Sequence, residues 1–221
     1  MDIEIRPELK ELFKKEYFQK AIKNYDMDNV YKLLADEFKY NIKAPTGVTF
    51  ESLLTACTYQ ITYILRSIGI EPEKYLSRIP AYFYYSETFD VLDLTNTHIE
   101  QFNIGAIMGC SIGALYLPKT IKNIARGDFL NSNIYSIVFD MKLDDVKELL
   151  EDSTLGLDYP YIQIFGNDSK DTCLRYDQIE QVWIKEDEVK PLLSKYLNKN
   201  YIRQLQPWIR AKLFVTLVSE Q

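Results

Sequence analysis

From residue 7 to residue 85 apolar side chains recur three and four positions apart, the spacing that gathers them on one face of an α-helix. Pro7 suits a first helical turn, and Leu9, Leu12, Phe13, Tyr17 and Ala21 continue the period. Tyr25-Asp26-Met27-Asp28 interrupts it. Either aspartate can cap the next helix, Asn29 to Phe38, whose inward stripe is Val30, Leu33 and Leu34 with Phe38 one turn on. After the loop Lys43-Ala44-Pro45-Thr46-Gly47, Thr49 stands as N-cap of a helix over Phe50 to Ser67. Its broad apolar face holds Leu53, Leu54, Cys57, Ile61, Ile64 and Leu65, and Gly69 is its stop. Glu71-Pro72-Glu73 opens a short helix to about Arg78, which Pro80 ends. Ala81-Tyr82-Phe83-Tyr84-Tyr85 is the densest aromatic run, expected as a core wedge with one or two tyrosines left outside. The alternative is a partner surface, for which tyrosine suits.

From Phe89 the period shortens to two, the mark of strands. Val91-Leu92-Asp93-Leu94, Leu115-Tyr116-Leu117-Pro118 and Ile137-Val138-Phe139 share one pattern. The first two are followed by apolar pairs three apart, Ile99 with Phe102 and Ile121 with Ile124. Phe102 to Ile112 then aligns without gaps on Ile124 to Ile134, setting Gly105 on Gly127, Gly109 on Asn131 and Cys110 on Ser132. That is a self-similarity at roughly 22 residues, within the range of stacked-coil repeats. Each coil offers one short strand and a second buried pair, and none can cover its apolar side without a neighbour. Cys110 is then a turn residue, and His98 lies in a bend where the first coil carries one residue more than the second. Outward strand positions, including Asp93, Tyr116, Ser136 and Val138, are expected to line an exposed sheet face. After Phe139 the pattern departs. Asp140 to Asp152 reads as a helix with Leu143, Val146, Leu149 and Leu150 inward and Asp144, Asp145, Glu148 and Glu151 solvated. Tyr161 to Phe165 reads as a last strand ending at Gly166-Asn167-Asp168. Thr172-Cys173-Leu174 and Gln181-Val182-Trp183-Ile184 suit edge strands, and Glu188 to Leu197 and Tyr201 to Val218 suit helices.

The run Ala114-Leu115-Tyr116-Leu117-Pro118-Lys119-Thr120-Ile121-Lys122-Asn123-Ile124, followed by Gly127-Asp128-Phe129, resembles the BspA-like class of leucine-rich repeats. It matches that family's strand, its Pro-Xaa-Xaa-Ile/Val turn and its Ile-Gly-Xaa-Xaa-Ala-Phe run, with Ala125 in place of the glycine and Asp128 in place of the alanine. Gly109-Cys110-Ser111 is similar to the family's Gly-Cys-Ser. The likeness covers about residues 88–168, and two coils carry it. It implies an α+β fold: a helical N-terminal region (1–86), a leucine-rich-repeat sheet of about three to four coils (87–168) and a C-terminal strand and helix cap (169–221). Placed after helices and a Pro-Ala-Tyr-Phe segment, the coils also resemble small phage-encoded proteins, which implies a host protein as partner, in the host cytoplasm.

Composition narrows the chemistry. The chain has 221 residues, 47% of them hydrophobic, with a net charge of -6, three Cys and a single His. One histidine excludes a two-histidine metal site within the chain and confines any Ser-His or Cys-His pair to His98. No Gly-Xaa-Gly-Xaa-Xaa-Gly run, Walker loop, Gly-Xaa-Ser-Xaa-Gly elbow or His-Glu-Xaa-Xaa-His motif is present. The expectation is a non-enzymatic protein-binding module with no cofactor and no metal. Three widely spaced cysteines fit reduced thiols in a cytoplasmic protein, and no leader or membrane span is legible. The acidic balance argues against direct nucleic-acid binding. An acidic decoy that mimics nucleic acid, and a hydrolase working through carboxylates, are the alternatives.

Overall fold

In the computed structural model the described residues are 5–42, 45–151, 153–159, 161–169 and 172–186. The chain opens with α1 (Pro7–Phe13) and α2 (Glu16–Lys23), where the apolar period predicted one continuous helix. The break has a geometric reason. Leu12 and Phe18 are both fully buried, yet six residues of unbroken helix would set them about 120° apart around the axis. Turning the chain at Lys14 and Lys15 brings both inward and leaves Tyr17 on the outside. Helix α3 (Met27–Tyr40) is capped by Asp26, whose Oδ1 accepts from Asn29 N at 3.3 Å. Helix α4 (Phe50–Ser67) starts at the expected cap, Thr49, whose Oγ1 accepts from Ser52 N at 3.1 Å. Its inner face buries Leu53, Cys57, Ile61 and Leu65. A 3-10 turn over Pro72–Tyr75 replaces the short helix expected there.

Arg78–Ile79 is strand β1, not a helix end, and pairs in parallel with β3 (Gln101–Phe102). The main sheet has six strands in the order β2 (Thr88–Asp93), β4 (Ser111–Leu117), β5 (Asn133–Phe139), β6 (Gln163–Phe165), β7 (Cys173–Asp177) and β8 (Val182–Glu186). The first four run parallel; β7 and β8 return as an antiparallel hairpin. Between β5 and β6 lie α5 (Leu143–Leu150) and the short α6 (Leu155–Asp158). The fold is thus mixed α and β. The helices expected at 188–197 and 201–218 lie outside the described residues.

The pairing register carries the internal repeat. Thr88 pairs with Ser111 and Ser111 with Asn133; Leu92 pairs with Leu115, Leu115 with Ile137 and Ile137 with Ile164. Backbone bonds between strands keep the same step: Glu100 N donates to Ser77 O and Lys122 N to Glu100 O. Parallel pairing therefore begins inside the 1–86 tract that reads as helical. Ser86, Gly109 and Asn131 occupy one equivalent turn, and all three are left-handed, with φ of 53°, 73° and 55°. Equivalent positions are buried alike: Leu76, Ile99 and Ile121 form one set, and Tyr84, Ile107 and Phe129 another. One contiguous core runs from Leu9 to Trp183 through helices and sheet alike.

Candidate functional site

Strand alternation assigned Asp93, Tyr116, Ser136 and Val138 to a solvent-facing sheet surface. They do share a face, because Asp93 pairs with Tyr116 and Tyr116 with Val138. Only Asp93 is exposed; Tyr116 is 5%, Ser136 3% and Val138 5% accessible. This corrects the expected open face. A parallel strand buried on both sides reads as a near-continuous apolar run rather than a clean alternation. Leu115-Tyr116-Leu117 and Ile137-Val138-Phe139 are such runs, continued by Ala114, Phe165 and Cys173, all buried. Ser136 is held inside by donating from Oγ to Gly113 O at 3.1 Å.

At the C-terminal ends of these strands a depression of about 100 Å³ is lined by Tyr116, Val138 and Phe139 with Thr95, Asp140 and Asn167. Its rim is polar. Asp93 Oδ1 accepts from Thr95 N at 2.9 Å and from Thr95 Oγ1 at 2.6 Å. Asp168 Oδ1 accepts from Leu143 N at 2.8 Å and so caps α5 from the next turn of chain. Asp144, on the acidic side of α5, pairs with Lys185 Nζ at 2.5 Å, which holds its carboxyl below the ordinary range.

Among the described residues the helical layer exposes Tyr17, Tyr25, Tyr40, Tyr59, Tyr63 and Tyr75, each at least 40% accessible; Tyr85 and, beside the sheet, Tyr161 are exposed as well. Tyr59 and Tyr63 lie four residues apart on one face of α4, and the rings of Tyr25 and Tyr75 stack at 4.9 Å. Within the run 81–85, Phe83 and Tyr84 are buried and Tyr85 is outside, as the pattern suggested.

A cleft of about 510 Å³ lies between α3, α4 and residues 76–81. Its deep part is Tyr31, Thr58 and Leu76, all buried; Ala35, Leu54, Pro80 and Ala81 form half-buried walls. Exposed Asp28, Lys32, Ser77 and Arg78 stand at the mouth. The carboxylate of Asp28 is occupied, accepting from Ser77 N at 3.2 Å and Ser77 Oγ at 2.7 Å. Sequence periodicity had no means of finding this recess, since it forms only where β1 folds back across two helices.

Two of the three thiols are held away from reactivity by burial. Burial pushes the Cys57 thiol up to about 12 and the Cys110 thiol up to about 11, away from the thiolate a nucleophile needs. Cys110 instead serves the turn: its Sγ donates to Tyr84 O, as Ser132 Oγ donates to the equivalent Ile107 O. His98 is exposed in its bend. Among the described residues no three His, Cys, Asp or Glu side chains group to hold a metal ion, and no helix is long and apolar enough to cross a membrane. No family model, curated protein or solved structure matches the chain.

Proposed function

We propose that this protein is a non-enzymatic protein-binding module whose parallel coils are of the BspA-like leucine-rich-repeat type. The 22–23-residue register and the recurring left-handed turn support the repeat reading. The observation that carries the binding reading is the exposed tyrosine set of the helical layer. Tyrosine offers large, rigid, amphipathic contact area and is enriched where proteins meet. The interaction surface is accordingly moved from the sheet face to the helical layer, with α4 at its centre. Following the resemblance to small phage-encoded proteins, the partner is a host protein of defence or replication that this chain blocks in the host cytoplasm. The acidic-decoy alternative draws less support, because Asp144 is already neutralised by Lys185.

The test is affinity capture from source-cell lysate with wild-type protein and the Tyr59→Ala/Tyr63→Ala variant in parallel. Both side chains are 40% exposed, so the variant is expected to keep its melting temperature within a few degrees. A partner held by the wild type and lost by the variant supports the reading. Equal capture by both proteins moves the interface off α4. Capture that collapses as salt rises, with the tyrosines irrelevant, favours the decoy.

A further inference from the structure

We propose that the cleft between α3, α4 and residues 76–81 is a binding site for a monoanionic carboxylate carried on an apolar body. Its volume of about 510 Å³ falls within the span of small-ligand sites, roughly 300–1,000 Å³. Tyr31, Leu54, Leu76 and Pro80 supply an apolar interior for a branched or aromatic group.

The mouth supplies the charge. Among the described residues neither Lys32 nor Arg78 is paired with a carboxylate; the Arg78 guanidinium donates only to the neutral Gln101 Oε1, at 2.5 Å. Two uncommitted cations at one recess are notable in a chain of net charge -6. Asp28 shares the mouth, but Ser77 occupies its carboxylate through both a backbone and a hydroxyl donor. Lys32 and Arg78 against Asp28 leave one net positive charge, which matches a carboxylate and falls short of a phosphate dianion. Arg78 can meet both carboxylate oxygens with its planar fork, while Lys32 adds a point charge from α3. The site stands independently of the exposed tyrosine set.

Such a carboxylate can belong to a free acid or chain terminus, or to an acidic side chain within a peptide. The experiment titrates the 15N-labelled full chain with three probes and follows amide shifts. N-acetyl-L-leucine carries a terminal carboxylate, N-acetyl-Ala-Asp-Leu-Ala-amide carries one on a side chain, and N-acetyl-L-leucinamide carries none. Saturable shifts at residues 28–35 and 76–81 are expected with at least one charged probe and not with leucinamide. A response to N-acetyl-L-leucine alone assigns a free acid or terminus, and a response to the peptide alone assigns an internal acidic residue. Lys32→Gln or Arg78→Gln should weaken the response about tenfold each, as loss of one charge-assisted contact does, with Arg78→Lys recovering part. Both positions are exposed, so melting temperature should hold. Equal shifts with leucinamide, shifts located elsewhere, or no saturable shift with either charged probe would overturn the proposal.

Discussion

Asp128 occupies the place that Ala106 takes one coil earlier, and it is buried there to 5% accessibility. Burial raises its carboxyl from 3.8 to about 6, and the Ala125 N–H, donating to Oδ2 at 2.8 Å, only partly opposes this. Because the folded form holds its proton more tightly than the unfolded chain, the folded state is favoured below about pH 4. That advantage is lost as pH rises through 6. Asp128→Asn keeps an oxygen for Ala125 and removes the titration. Urea unfolding across pH 4 to 7 should show the variant gaining about 2 kcal/mol over wild type at pH 7 and much less at pH 4. Parallel curves for the two proteins would locate the pH dependence elsewhere. Glu37 behaves oppositely. Its hydrogen bond with Lys15, joined by Tyr17 and Asn41, lowers its carboxyl, so its contribution is present above the ordinary carboxylate range and fades as pH falls through the folded value.

At the scale of elements, the packing of α5 against the sheet depends on Gly166. A Cβ there would meet Met141 O at 2.7 Å and Leu143 Cα at 2.8 Å, besides the Leu143 amide, and all three are backbone atoms that cannot swing aside. Gly166→Ala should therefore cost about 2–3 kcal/mol, read as a fall in urea midpoint, through displacement of the α5 start that Asp168 caps. An unchanged midpoint would mean this junction yields without cost. What was legible at this scale follows from what is local. Thr49 and Gly69 mark the ends of α4 because caps and left-handed stops act within one turn. The repeat was legible from Phe89 on, where Gly109 faces Asn131 and Cys110 faces Ser132. The coil before it stayed hidden, since Tyr82 stands where Gly105 does and Ser86 where Gly109 does. Those left-handed positions reveal themselves in φ angles and not in residue type. The cleft was hidden for a different reason, its walls being about 50 residues apart in the chain. Tyr116, Ser136 and Val138 were misplaced because alternation names two faces without saying which of them water reaches.

At the scale of the molecule the helical layer and the coils share one core among the described residues, and Arg66 joins them. From the last turn of α4 it pairs with Glu73 Oε1 at 3.3 Å and lies over the rings of Phe83 and Tyr84 at 5.5 and 5.3 Å. Arg66→Met keeps the stem but strands the partly buried Glu73, which should cost roughly 2 kcal/mol. Adding Glu73→Leu removes the stranded charge and should recover most of that loss. Thermal unfolding should remain a single transition in both variants, given the continuous core. Two transitions, or additive losses in the double variant, would separate the layers and discard the bridge.

The register also records where spare length is stored. From Leu94 to Ile99 the chain spends four intervening residues, Thr95 to His98, where Leu117 to Ile121 spends three, yet the strands on both sides stay paired. The bends thus act as expansion joints: a residue gained or lost there is absorbed before the next rung, while the same change inside a strand would exchange its two faces. Chains of this architecture can consequently drift in length at the bends while keeping their rungs aligned, and His98 marks one place where this chain has taken up that slack.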